Sequence, residues 1–70
     1  MRYRELAKRL RTLGCIEDRQ GKGSHVYWQN PATAKRAMIP NWGRKDLRPG
    51  TVRAVLRQLE IDRQDFGPIN

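Results

Sequence analysis

Cysteine and histidine each occur once in the 70 residues, as Cys15 and His25. A single cysteine excludes an internal disulfide. One cysteine and one histidine cannot supply the four nitrogen or sulfur ligands of a structural zinc site. Acidic residues are also few: the seven Asp and Glu are scattered along the chain, which argues against a carboxylate-bound metal ion. The sequence therefore predicts a protein that uses no metal ion and no other cofactor.

Long apolar runs are absent as well. No stretch approaches the roughly 20 apolar residues of a membrane-spanning helix, and the opening MRYRELAKRL contains no apolar signal core. We therefore expect a cytoplasmic protein that does not bind membranes. Only 37% of the residues are hydrophobic, while 31% are charged. Periodic apolar positions nevertheless favour a folded chain, and its length fits one domain over residues 1–70.

The charges that are present are mainly positive. Fifteen Lys and Arg face seven acids, for a net charge of +8, and eleven of the fifteen are arginine. The guanidinium group presents a planar fork of donors that matches phosphate oxygens. This balance indicates a polyanionic partner, with nucleic acid first and an acidic protein second. The alternative is an arginine-rich surface that serves only to contact water.

Apolar periodicity predicts two helices that flank three strands. YRELAKRLRTLG and TVRAVLRQLEI have helical spacing, and DRQDF adds a short turn with Asp62 as its N-cap. CIEDRQ, SHVYWQ and AKRAMIP are predicted strands, separated by the turns GKG and NPAT. The order α-β-β-β-α predicts an α+β fold, a three-stranded antiparallel sheet with two helices packed on one face. This is the element order of a double-stranded-RNA-binding domain.

The stretch GKGSH, residues 21–25, places the only histidine directly after a glycine-rich turn. RNA carries its own nucleophile, the 2′-hydroxyl, so cutting it requires only proton transfer and positive charge near the phosphate. His25 fits that role, and it also fits a structural histidine at the start of a strand. Strand alternation puts Val26 and Trp28 on one face and His25 and Tyr27 on the other, without showing which face is buried. The sequence does not decide whether Trp28 and Trp42 stack on bases or lie in the core.

Four motifs together carry a resemblance to a known family. They are LAKRLRTLGC, KGSHVYW, IPNWGRKDLRPGT and VRAVLRQLEID. Over roughly Tyr3 to Phe66 the chain resembles the HicA family of small bacterial messenger-RNA interferase toxins. The resemblance implies a fold like that of a double-stranded-RNA-binding domain, cleavage of messenger RNA, and inhibition by a partner antitoxin, HicB. It also implies that His25, which matches the histidine of the family's Gly-Ser-His motif, is the catalytic residue.

On this interpretation the chain is the toxin of a type II toxin–antitoxin pair and a metal-independent endoribonuclease. His25 acts as general acid or base. Three further residues lie near the scissile phosphate: Arg19, Lys22 and Ser24. Four others hold the flanking phosphates: Arg36, Arg44, Lys45 and Arg48.

The chain departs from the family at two histidine positions, and its first hairpin turn is one residue longer, with the extra glycine at Gly21 or Gly23. Many members have a second histidine directly after the motif, where this chain has Val26, and another two residues past the loop proline, where it has Trp42. The second proton is then expected to move through Lys22, Ser24 or water. A non-catalytic RNA-binding domain is the alternative.

Overall fold

A computed structural model of the chain describes residues 1–69, except for the side chain of Gln20. Asn70, the last residue of the expected domain, lies outside the described residues. The elements are α1 (Tyr3–Thr12), β1 (Ile16–Gln20), β2 (His25–Asn30), β3 (Lys35–Pro40), α2 (Pro49–Gln58) and α3 (Arg63–Phe66). The predicted α+β order is confirmed. The second helix begins two residues earlier than predicted, at Pro49. Proline is tolerated in the first turn of a helix because N–H groups there have no partner within the helix.

The three strands form one antiparallel sheet in the order β1-β2-β3, so β2 is the central strand. His25 lies opposite Pro40 at one end of the β2–β3 ladder, and Asn30 lies opposite Lys35 at the other. The β1–β2 register shifts between Glu17 and Arg19. An extra residue in one strand re-aims the side chains that follow it, so Arg19 comes to lie opposite Tyr27.

Central strand β2 decides which face of the sheet is buried. Val26 and Trp28 are 1% and 0% exposed, whereas His25 is exposed and Tyr27 is half-buried. Trp28 is therefore a core residue, and the histidine is on the open face. The fifteen buried hydrophobic residues form one cluster, which also holds the predicted apolar faces of both long helices: Tyr3, Leu6, Ala7, Leu10, Cys15, Val26, Trp28, Ala37, Ile39, Leu47, Val52, Val55, Leu56, Leu59 and Phe66.

The helices are tied together through Arg9 on α1. Its guanidinium donates to Glu5 Oε2 at 2.9 Å, four residues earlier on the same helix, and lies 5.1 Å from the centroid of the Phe66 ring on α3. The side chain of Asp62 accepts from the Gln64 N–H at 2.7 Å, which confirms the predicted N-cap. Within residues 1–69, no helix is long and apolar enough to cross a membrane.

Asn30 is a buried polar residue that joins the sheet to the second helix. Its Nδ2 donates to the Leu59 carbonyl at 2.8 Å, and its Oδ1 accepts from the Ala32 N–H at 3.1 Å. Both sides of the amide are therefore satisfied. This link places the end of α2 beside the Asn30 end of β2, opposite the end that begins with His25.

A hydrogen-bonded chain crosses the core at Trp28. The indole Nε1 donates to the hydroxyl of Tyr3 at 3.1 Å, and that hydroxyl donates to Glu17 Oε1 at 3.4 Å. Burial raises the pKa of Tyr3, and the Glu17 carboxylate raises it further, while the bond from Trp28 opposes the shift. The tyrosine therefore gives the buried indole a polar partner and links α1 to β1.

Replacing Tyr3 by phenylalanine leaves the buried indole N–H without a partner. We expect Tyr3→Phe to lower the free energy of unfolding by about 1–3 kcal/mol in urea denaturation at neutral pH. The matched control is Tyr27→Phe, since that hydroxyl makes no hydrogen bond within the described residues. It should change stability by at most about 0.5 kcal/mol.

The raised pKa adds a pH dependence to the same comparison. The contribution of the Tyr3 phenol to the free energy of unfolding is complete below about pH 10, its pKa in the unfolded chain. The contribution is lost as pH rises through the higher pKa of the folded state. Tyr3→Phe has no such group, so the difference between wild type and variant should narrow as pH rises above that value. A constant difference would show that the phenol is not shielded by the fold.

Candidate active site

The GKGSH turn is held by backbone hydrogen bonds on two sides. The Gly21 N–H donates to the His25 carbonyl at 2.7 Å, and the His25 N–H donates to the Lys22 carbonyl at 3.1 Å. Across the sheet end, the Asn41 N–H donates to the Ser24 carbonyl at 2.7 Å. The turn is therefore tied both to itself and to the residue after β3, which gives His25 a defined position at the start of β2.

The two glycines of the turn serve different purposes. Gly23 has φ +60, a conformation that side chains with a Cβ rarely adopt. At Gly21 the constraint is space: a Cβ there would lie 2.9 Å from Cε2 of Tyr27 and 3.1 Å from the His25 carbonyl oxygen. The ring of Tyr27 thus packs on the backbone of the turn, beside the histidine.

His25 projects from the exposed side of this turn. Its side chain is exposed, and none of the described groups, which exclude the side chain of Gln20, hydrogen-bonds to the imidazole. A structural histidine would be buried with satisfied nitrogens, and His25 is neither. Its ring is free to approach a substrate that lies over the open face of the sheet.

Cations flank the ring of Tyr27 on that open face. The guanidinium carbons of Arg19 and Arg36 lie 5.3 and 5.5 Å from the ring centroid. Both are within the range of a cation–π interaction. Arg36 also forms an ion pair with Asp18, so part of its charge is already balanced. Tyr27 was not among the site residues expected from the sequence; its alternation with His25 along β2 was the signal for it.

The expected site residues fall into two groups in space. Lys22 and Ser24 share the turn with His25, and Arg19 reaches this region through Tyr27. The other four residues lie on other elements, outside the turn. Arg36 is on the same face but pairs with Gln29, four positions from the His25–Pro40 pair. Arg44 and Lys45 lie in the loop after β3, and Arg48 is the N-cap of α2.

The loop after β3 exposes Trp42. Its side chain is 38% exposed, and Lys45 Nζ lies 5.0 Å from its ring centroid. Of the two tryptophans, Trp42 is therefore the one whose ring can reach a base. Its partner lysine adds positive charge next to that apolar surface.

The chain's one thiol lies away from this turn, directly before Ile16, which pairs with Gln29. Within the part of the chain that the structure describes, no group of three or more His, Cys, Asp or Glu could hold a metal ion. Cys15 is a free, buried thiol, and burial raises its pKa. A buried thiol with a raised pKa is a poor nucleophile at neutral pH.

The close approach of Tyr27 to the turn predicts the effect of a methyl group. Gly21→Ala must displace the ring or the turn, and overpacking of this kind costs about 1–3 kcal/mol. Gly50 is the control: it lies in the first turn of α2 with open space around its Cα. Gly50→Ala should instead stabilise by about 0.4–1 kcal/mol. Thermal melts of both variants make the comparison, and equal shifts would contradict the packing.

Comparison with known proteins identifies a family. The family model for the HicA toxin of bacterial toxin–antitoxin systems matches residues 3–61 of the 70. This range contains all of α1, the whole sheet and α2. No curated protein and no solved structure matches the chain significantly.

Proposed function

This chain belongs to the HicA toxin family, and we propose that it is an endoribonuclease that cleaves messenger RNA with His25 as its catalytic residue. The observation that carries the proposal is the position of that imidazole. It is exposed and unbonded within residues 1–69, on a turn held from two sides, at one end of a cationic sheet face. Because RNA supplies its own nucleophile, cleavage requires little more than a proton-transfer group and positive charge near the phosphate.

The reaction proceeds by attack of the 2′-hydroxyl on the adjacent phosphorus. His25 transfers a proton, a contribution typically worth about 10²- to 10⁴-fold in rate. Lys22 at the apex of the turn, with Arg19 beside it, stabilises the negative charge that develops on the phosphate oxygens. Ser24 is a further polar neighbour. The reaction needs no metal ion, because its nucleophile is part of the RNA.

A second proton has to reach the leaving oxygen from a group other than histidine. Val26, which stands where many relatives have histidine, is 1% exposed and points into the core. Trp42 stands at the other such position. The candidate donors of this proton at the turn are Lys22, Ser24 and water. The lack of a second histidine is the observation that favours the alternative function, an RNA-binding domain without catalysis.

Binding of the flanking RNA uses the basic residues farther from the turn. Arg44, Lys45 and Arg48 follow β3 within a few residues of each other, and Arg36 lies on the open face. Each can contact a backbone phosphate, and phosphate contacts give affinity without sequence preference. Trp42 adds a surface on which a base can stack.

The natural partner of a toxin in this family is an antitoxin, and we propose that it is a HicB-like protein. With a net charge of +8 on the toxin, an acidic partner surface is complementary. Such a partner inhibits most directly by covering the segment from Arg19 to His25 and the basic loop. Both proteins would act in the cytoplasm, where messenger RNA is translated.

Removing the imidazole tests the catalytic assignment. His25→Ala should change the free energy of unfolding by at most about 0.5 kcal/mol, because the side chain is exposed. It should abolish RNA cleavage and growth inhibition, while RNA binding persists on the arginine surface. A thermal melt, a cleavage assay and a binding titration on the same preparation make the comparison. Full cleavage by the variant would end the assignment.

The products and the metal requirement provide an independent check. Attack by the 2′-hydroxyl leaves a 2′,3′-cyclic phosphate and a free 5′-hydroxyl, persists in EDTA, and fails on RNA whose 2′-hydroxyls are methylated. A 5′-phosphate product, or loss of activity on chelation, would indicate a metal-bound water as nucleophile. RNA binding by wild type with no cleavage would support the non-catalytic alternative.

A further inference from the structure

A groove of about 440 Å³ with basic walls lies between α1 and the loop after β3. Its walls are lined by four arginines and no acid: Arg2, Tyr3, Arg4, Ala7, Arg11, Asn41, Gly43 and Arg44. We call it the arginine groove. Three of these arginines come from the first helix and its N-cap.

Among the described residues, the arginines of the groove lack the carboxylate partners that two other arginines have. Arg9 and Arg36 are paired with Glu5 and Asp18. Within the described residues, the guanidinium groups of Arg2, Arg4 and Arg44 have no such partner. Like charges that converge without counterions repel one another. Four arginines around one groove therefore form a site that an anion would stabilise.

The spread of these charges indicates a polymer rather than a single phosphate. Arg4 and Arg11 are seven residues apart on α1, a separation of about 10 Å along the helix axis. Arg11 is held in place by Trp28, with its guanidinium carbon 5.2 Å from the ring centroid. Several phosphates in a row match cations spaced in this way.

The groove is also connected to the turn that carries the histidine. Asn41 lines the groove, and its N–H donates to the Ser24 carbonyl at 2.7 Å. One wall of the groove is therefore hydrogen-bonded to the residue that precedes His25. We propose that the arginine groove binds the phosphate backbone of single-stranded RNA on one side of the cleavage site. The proposal rests on the proposed function, because it takes RNA as the substrate.

The test compares two double variants in a His25→Ala parent, which binds RNA without cutting it. Arg2→Gln with Arg4→Gln removes two charges from the groove. Arg57→Gln with Arg63→Gln removes two exposed charges near the Asn30 end of the sheet. The probe is a fluorescein-labelled single-stranded RNA of mixed sequence, and its anisotropy is titrated at salt concentrations from about 50 to 200 mM.

The groove variant should reduce the slope of log affinity against log salt by about 1.4, since each phosphate contact to a single strand contributes about 0.7. The control pair should leave the slope unchanged. Equal slopes for the two variants would overturn the groove while leaving the proposed function intact. Failure of the His25→Ala parent to bind RNA at all would overturn both.

A separate observation concerns the hydroxyl end of Tyr27. Its Cε2, which neighbours the carbon that carries the hydroxyl, lies 2.9 Å from the point that a Gly21 Cβ would occupy. The Cβ of His25 lies 3.4 Å from the same point. The phenol therefore leans toward the base of the histidine, on the open face, and its hydroxyl makes no hydrogen bond within residues 1–69.

We propose that Tyr27 donates the second proton of the cleavage reaction, again on the premise of the proposed function. His25 takes the proton of the 2′-hydroxyl, and the 2′-oxygen forms a bond to phosphorus. The bond from phosphorus to the 5′-oxygen breaks, and that oxygen takes the phenol proton. The imidazolium then returns its proton to the phenolate, beside which Arg19 and Arg36 lie.

Tyr27→Phe tests this role because it keeps the ring and both arginine contacts. It should slow cleavage of ordinary RNA by about 10²- to 10⁴-fold with unchanged RNA affinity. An RNA with sulfur in place of the leaving 5′-oxygen needs no proton donor, since a thiolate leaves unaided. The variant should cut that RNA as fast as wild type does.

The thio-substituted RNA distinguishes a role of Tyr27 as proton donor from a purely structural role. Equal slowing on both substrates would show that the hydroxyl acts only through the shape of the site, and this would overturn the proposal. Unchanged cleavage of ordinary RNA by Tyr27→Phe would overturn it too. If the wild-type protein cuts neither RNA, the proposed function itself is wrong.

Discussion

Burial of one side of the central strand is the constraint on which the rest of the structure depends. A three-stranded sheet exposes two faces, and two short helices can cover only one of them. Val26 and Trp28 take the covered face. Since successive side chains of a strand point to opposite sides, His25 and Tyr27 must face solvent. The core and the candidate active site are thus two sides of the same six residues.

The charge distribution follows from the same small size. Seventy residues bury only about 60% of the surface of the unfolded chain, so nearly every arginine remains at the surface. Some of these arginines contribute to the fold, as Arg9 does by joining α1 to Phe66. Others converge without a counterion around one groove and so add repulsion instead of stability. Such repulsion is tolerated where the partner is itself a polyanion.

The turn shows how the fold and the proposed chemistry share atoms. Gly21 is required because the Tyr27 ring packs on its backbone, and the same packing brings the phenol toward His25. Arg19 reaches this ring because the β1–β2 register is irregular just before it. Each of these contacts stabilises the hairpin and also positions a group that can act on a phosphate. A change in any one of them is therefore expected to affect both stability and activity.

The sequence by itself determined the order of the elements, the apolar faces of the helices and the histidine at a glycine-rich turn, because these depend on local spacing. It also carried the family resemblance, which the family match confirms. It left open whether Trp28 or His25 faced the core, since alternation is symmetric until a helix covers one side. The groove of Arg4 and Arg44 and the packing of Tyr27 on Gly21 emerged only in three dimensions. Their residues are far apart in the chain and meet through packing, which no local pattern records.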